Sequence, residues 1–172
     1  MTFRYCPYFC EENVWHLCTD DRVILDHEPI PVENRRVVFI SNARRRVAMW
    51  KQRAGGSQSV LWDYHVVLLA GGNVWDLDTT LGFPIPLDAW VRGSFHPRDP
   101  RFAPQFRVID APAYLSRFGS DRSHMLGPNG VPLKPFPAWP RIGVGMNLPS
   151  FVDMETPFIG ERFDLDSFRP AP

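Results

Sequence analysis

Residues 60–78 constrain this chain more than any other stretch. Val60-Leu61-Trp62-Asp63-Tyr64-His65-Val66-Val67 and Val74-Trp75-Asp76-Leu77-Asp78 are two β-prone runs that meet across Gly71-Gly72, the composition of a tight hairpin. In extended backbone alternate residues share a face. Asp63, His65, Val67 and Leu69 are therefore expected on one face, and Trp62, Tyr64, Val66 and Leu68 on the other. A two-residue turn pairs Ala70 with Asn73, Val67 with Asp76 and His65 with Asp78. Both carboxylates then lie on the histidine's side, with Trp62 and Tyr64 left to the core. Asp78 is directly opposite His65 and Asp76 diagonal to it; a register moved by two residues reverses them, and spacing alone does not choose.

Cys10 precedes Glu11-Glu12-Asn13-Val14-Trp15-His16-Leu17-Cys18, where Val14, Leu17 and Cys18 follow the spacing of a helix face. At a helix N-terminus unpaired backbone N–H groups and the helix dipole favour a thiolate, so the Cys10 thiol is expected to ionise readily. Glu11 and Glu12 work partly against this. A thiol, an imidazole and a carboxylate together are the inventory of a thiol-dependent hydrolase or transferase, and the first-turn amides can serve a developing oxyanion. The plainer alternative is an inert buried thiol beside a solvated polar strand face. Cys6, ahead of Pro7, and Cys18, on the apolar helix face, are less well placed. Cys6, Cys10, His16 and Cys18 lack the spacing of a zinc knuckle, and no second ligand pair follows, so no metal is expected.

The remaining sequence fits a single domain over residues 1–172, with 44% hydrophobic residues, six Trp and thirteen Phe to fill its core. Val37–Ile40 and Phe106–Ile109 read as strands, residues 111–118 as a helix stopped at Gly119, and residues 20–36 as a loop. The fold class expected is α/β, a mixed sheet with flanking helices. Seven prolines between 127 and 157 predict an extended segment wrapped over the surface and anchored by Phe136, Trp139 and Phe151. Acidic and basic residues balance at 19 each, so no global field draws the chain to nucleic acid or a membrane surface. Arg44-Arg45-Arg46 reads as a solvated face. No apolar run approaches the ~20 residues that span a bilayer. Three cysteines crowded into residues 6–18 suit a reducing compartment, and a cytoplasmic monomer is expected. Asp121-Arg122-Ser123-His124 is either a side-chain-bonded turn or a frame for the site.

Cys10-Glu11-Glu12-Asn13-Val14-Trp15, Trp62-Asp63-Tyr64-His65-Val66 and Trp75-Asp76-Leu77-Asp78-Thr79 together resemble the protein N-terminal glutamine amidohydrolase family, known for its WDYHV motif. The likeness continues through Phe39-Ile40-Ser41-Asn42, Trp50-Lys51-Gln52, Phe83-Pro84, Asp121-Arg122-Ser123-His124-Met125 and Met146-Asn147-Leu148, in one order along nearly the whole chain. The resemblance implies a papain- and transglutaminase-like fold with a mostly antiparallel central sheet. It also implies deamidation of a free N-terminal glutamine on peptides or proteins, without a cofactor. It assigns the nucleophile to Cys10, the histidine to His65 and the acid to Asp76. Selectivity for a free N-terminus requires a group that recognises the α-ammonium, for which Glu11, Asp63 and Asp78 are the candidates.

Overall fold

The computed structural model describes residues 2–96 and 99–170. In chain order its elements are α1 (Cys10–Leu17), β1 (Ile24–Leu25), β2 (Glu28–Pro29), β3 (Arg35–Ser41), β4 (Val47–Met49), β5 (Val60–Trp62), β6 (His65–Ala70), β7 (Asn73–Trp75), β8 (Ile85–Pro86), α2 (Leu87–Ser94), β9 (Gln105–Asp110), α3 (Ala111–Arg117), α4 (Leu148–Val152) and β10 (Glu161–Asp164). Six strands form the central sheet in the order β10-β9-β3-β6-β7-β8, antiparallel at every pairing. This is the expected mixed α and β architecture, with the antiparallel sheet that the family resemblance implies in place of the mixed sheet read from the residues. No helix among the described residues is long and apolar enough to cross a membrane.

β3 and β6 lie at the centre and are covered on both sides, which is why they are continuous apolar runs rather than alternating ones. Val37, Phe39, Val66, Leu68 and Ala70 face a layer built from α1, α3 and α4. Val38, Ile40, Val67 and Leu69 face the other layer, with Val47, Met49, Trp90 and Phe106. The hairpin register is the expected one, with Ala70 opposite Asn73 and Leu68 opposite Trp75. Gly71 and Gly72 have φ of +58° and +72°, the left-handed pair a two-residue turn requires.

The long first run of the hairpin is not one strand. β5 ends at Trp62 and pairs with β4, Val47 opposite Trp62, in a separate two-stranded sheet. The break falls at Asp63-Tyr64, where side chains replace ladder hydrogen bonds. Ser41 Oγ donates to the Asp63 carbonyl at 2.6 Å, and Asp63 Oδ1 accepts from the Tyr64 N–H at 3.0 Å. Strict alternation through residues 62–65 is thereby lost, with consequences for Trp62 and Tyr64 described below.

α1 is fixed at both ends. The Asn13 side chain accepts from the Cys6 N–H at 2.8 Å and donates to the Cys6 carbonyl at 2.9 Å, holding the chain that leads into the helix. At the other end the buried Arg35 guanidinium donates to the carbonyls of Leu17, Cys18 and Asp20, a cation where the helix dipole is negative. Tyr114 of α3 donates to the Glu11 carbonyl at 2.9 Å. Within the Pro-rich segment Phe151 is fully buried. The segment also contains the short helix α4, with Pro149 in its first turn, where a missing N–H leaves no bond unmade.

Candidate active site

Cys10 and His65 line one pocket of about 220 Å³, together with Tyr8, Arg45, Trp62, Asp63, Tyr64, Asp78, His124 and Met125. Cys10 comes from the first turn of α1, and His65 from the first residue of β6, against which α1 packs. A larger, open groove of about 640 Å³ lies over residues 42–44, 100–105 and 164–166 and carries neither cysteine nor histidine.

Asp76 follows directly after β7 and is fully buried. Its Oδ1 meets His65 Nε2 at 2.9 Å and accepts from the Asp78 N–H at 3.0 Å. Its Oδ2 accepts from Gln52 Nε2 at 3.2 Å and from Trp90 Nε1 at 3.1 Å. β7 ends at Trp75, so Asp76 leaves the ladder and turns onto the imidazole, while Asp78 lies farther along the wall. Burial opposes charge on His65, but the Asp76 carboxylate, with Asp78 and Glu11 behind it, outweighs that penalty and raises the imidazole above its ordinary value. Burial likewise works against charge on Asp76. The imidazole and the Asp78 and Gln52 donors prevail, holding its carboxyl below the usual range.

The Cys10 thiol corrects the sequence-based expectation. It is pushed well above its ordinary value, first by burial and then by the carboxylates of Glu11, Asp78 and Asp63; a backbone hydrogen bond from Val66 pulls only partly the other way. An eight-residue helix does not overcome that field. In this resting geometry the thiol donates to Glu11 Oε2 at 3.7 Å.

The candidate ammonium anchors occupy different places. Asp78 and Asp63 line the pocket. Asp78 Oδ1 accepts from Tyr5 Oη at 2.5 Å. Glu11 is fully buried behind the thiol, its Oε2 accepting from Tyr64 Oη at 2.9 Å and its Oε1 3.4 Å from His124 Nε2. Glu12, next to it, is equally buried and forms a two-pronged ion pair with Arg122, at 2.9 and 2.7 Å. Trp139 Nε1 adds a third bond to Glu12 at 2.7 Å. Arg122 also donates to the carbonyls of Pro137, Trp139 and Pro140. The 121–124 segment is thus both a turn and a frame: Arg122 ties the Pro-rich segment to α1, and His124 reaches the pocket.

Trp62 and Tyr64 are not confined to the core, because the strand breaks between them and His65. Trp62 stacks on the His65 ring, centroids 5.7 Å apart and planes 14° from parallel, and Tyr64 turns to Glu11. Both still pack against the apolar layers. Trp90 carries no signal in the sequence, and Gln52 stands there only within the family likeness, with no role attached. Each is distant from the hairpin in sequence, and no local pattern announces a donor aimed at Asp76.

His65, Asp76 and Asp78 place ligand atoms within 4.8 Å of one another, the one such grouping among the described residues. His65 Nε2 is engaged by the Asp76 carboxylate, whose two oxygens also accept from the Asp78 N–H, Gln52 and Trp90, so the grouping is a hydrogen-bond network. The alternative zinc set is not gathered: Cys18 lies in the apolar core, its thiol pushed up to about 12 by burial, and His16 Nδ1 contacts Arg4.

A buried thiol beside a carboxylate-held imidazole is the arrangement of a cysteine-dependent hydrolase, and similarity to known proteins narrows the class. The sequence profile described as N-terminal glutamine amidase matches residues 5–170. Among relatives, the protein N-terminal glutamine amidohydrolase of Bos taurus is 44% identical over 163 residues, covering 88% of this chain and 77% of that protein. The Homo sapiens protein of that name is also 44% identical over 163 residues, covering 88% and 78%. The Danio rerio one is 38% identical over 177 residues, covering 95% and 86%. The chain belongs to the N-terminal glutamine amidase family.

Proposed function

We propose that this chain is a protein N-terminal glutamine amidohydrolase that converts the side chain of a free N-terminal glutamine to glutamate and releases ammonia, using Cys10, His65 and Asp76. The observation that carries the reading is a buried thiol sharing an acidic pocket with an imidazole locked to Asp76. With Nε2 committed to Asp76, Nδ1 is the nitrogen that serves the thiol. Because the resting thiol is held protonated by its surroundings, His65 takes that proton as the sulfur attacks the carboxamide carbon. The imidazolium, steadied by Asp76, returns the proton to the departing nitrogen, which leaves as ammonia. Water then gives a proton to His65 and attacks the thioester, releasing glutamate and the thiol. First-turn N–H groups of α1, which have no partner within the helix, face the oxyanion.

Asp78, seconded by Asp63, is the anchor for the substrate's α-ammonium: both carboxylates line the pocket, whereas the Glu11 oxygens are turned to Tyr64, Cys10 and His124. An acylated or internal glutamine leaves those carboxylates without a cation. The three cysteines are free, which supports a reducing compartment such as the cytoplasm.

Acid-quenched mixtures of enzyme and a Gln-initiated peptide test the chemistry by intact mass spectrometry. The expected species is enzyme plus peptide less one ammonia, absent in Cys10→Ser. Turnover by Cys10→Ser at the wild-type rate would remove the thiol from the mechanism.

A further inference from the structure

The Glu11 carboxylate beside Cys10 is buried and has no permanent cation. Its Oε2 meets the thiol and the Tyr64 hydroxyl, and its Oε1 has no hydrogen-bond partner among the described residues. A buried anion left this way is costly unless a positive group compensates it. The group in position is His124, whose Nε2 is 3.4 Å from Oε1 and whose two ring nitrogens have no hydrogen-bond partner among the described residues. The ring sits on the three-residue helical turn Ser123–Met125, edge-on to Phe9 and lining the same pocket as Cys10 and His65. That turn is held by the Arg122–Glu12 ion pair, so His124 is delivered to Glu11 by a rigid support.

We propose that His124 is a positioning residue for the nucleophile: by holding Glu11, it draws that carboxylate's negative charge away from Cys10 and makes the thiolate accessible during attack. The thiol and Glu11 are 3.7 Å apart and Glu11 and His124 3.4 Å apart, so the three form a chain parallel in purpose to Cys10–His65–Asp76. A like charge close to an ionising group opposes its ionisation, and a cation on that charge relieves the opposition. The other groups facing this chain are Tyr8, Asp63, Tyr64, His65, Asp78 and Arg45 around the pocket, Tyr114 and Cys6 near Glu11, and Asp121 beside His124. None of them stands between Glu11 and His124 in the contacts described. Coupling is therefore expected to be specific to this pair.

The inference rests on the amidohydrolase reading for its purpose and is tested without a glutamine substrate. The pH dependence of Cys10 alkylation by iodoacetamide, followed on the Cys10 peptide by mass spectrometry, is compared for wild type, His124→Gln, Glu11→Gln and the double variant. His124→Gln is expected to slow alkylation near neutral pH by roughly tenfold and to displace the profile upward by about one pH unit. Glu11→Gln is expected to displace it downward. In the Glu11→Gln background, replacing His124 is expected to change the rate by less than about twofold. An equal effect of His124→Gln in both backgrounds, or no effect, overturns the proposal. Should His124→Gln fail to fold, the absence of acceleration in Glu11→Gln overturns it alone. Correct coupling with no ammonia released from Gln-initiated peptides would instead leave the pair in place and sink the assigned reaction.

Discussion

Glu11 and Glu12 are consecutive, equally buried and borne by the same turn of α1, yet their surroundings differ in kind. Glu12 has a guanidinium gripping both oxygens and an indole N–H as well, all at ordinary hydrogen-bond distances. Glu11 has a hydroxyl, a thiol and an imidazole, all groups that themselves ionise. A permanent cation makes a buried carboxylate a fixed strut, here tying the Pro-rich segment to α1. Titratable partners leave the neighbouring carboxylate able to tune the thiol it touches. Asp76, the third buried carboxylate, combines the two: its oxygens are filled by four donors, one of them a titratable imidazole.

The sharpest break in this comparison comes from Asp76→Asn, which keeps the shape but removes the charge holding His65. Activity on a Gln-initiated peptide is expected to fall by roughly 10³–10⁴-fold, chiefly in kcat. Because Asp76 raises the His65 imidazole, the wild-type rate should be lost on acidification at a pH above that of free histidine. In the residual activity of the variant that limb should move to lower pH. A limb at one pH in both proteins would exclude His65 as the titrating base.

Arg122→Met addresses the strut. Leaving Glu12 buried without its cation is expected to cost about 3–5 kcal/mol of unfolding free energy, read by denaturant titration. Glu11→Gln should change stability far less, since no permanent ion pair is lost. Similar losses for the two would erase the distinction between the adjacent glutamates.

Asp78→Asn removes the proposed anchor and should lower kcat/KM for a free N-terminal glutamine by roughly 10²-fold while leaving the fold intact. Any weak activity on an acetylated substrate should stay unchanged. The smallest effect belongs to Gln52→Ala, which takes one donor from Asp76 Oδ2 and leaves Trp90: about a tenfold loss in kcat, without a change in KM.

Local patterns made much of this legible. The apolar spacing of residues 14–18 located α1, and Gly71-Gly72 set the register that puts Asp76 just beyond the last pair, Leu68 with Trp75. What stayed hidden depends on long-range packing. Alternation failed at Trp62 and Tyr64 because Ser41, far upstream, ends the strand at Asp63. Helix position alone suggested an acidic thiol at Cys10, whereas burial and three carboxylates, two of them from other segments, decide the opposite direction. Gln52 and Trp90 reach the site from a turn and a helix whose approach only the folded chain reveals, and although residues 121–124 read as a turn or a frame for the site, the contact of His124 with Glu11 was not legible.

The most direct test of the central claim is ammonia release from four matched peptides: free N-terminal Gln, N-acetylated Gln, N-terminal Asn and internal Gln, each with wild type and Cys10→Ser. Release from free N-terminal Gln alone, abolished by the substitution, is the expected result. Comparable release from acetylated or internal glutamine would contradict an ammonium-reading pocket, and release that survives Cys10→Ser would contradict the nucleophile.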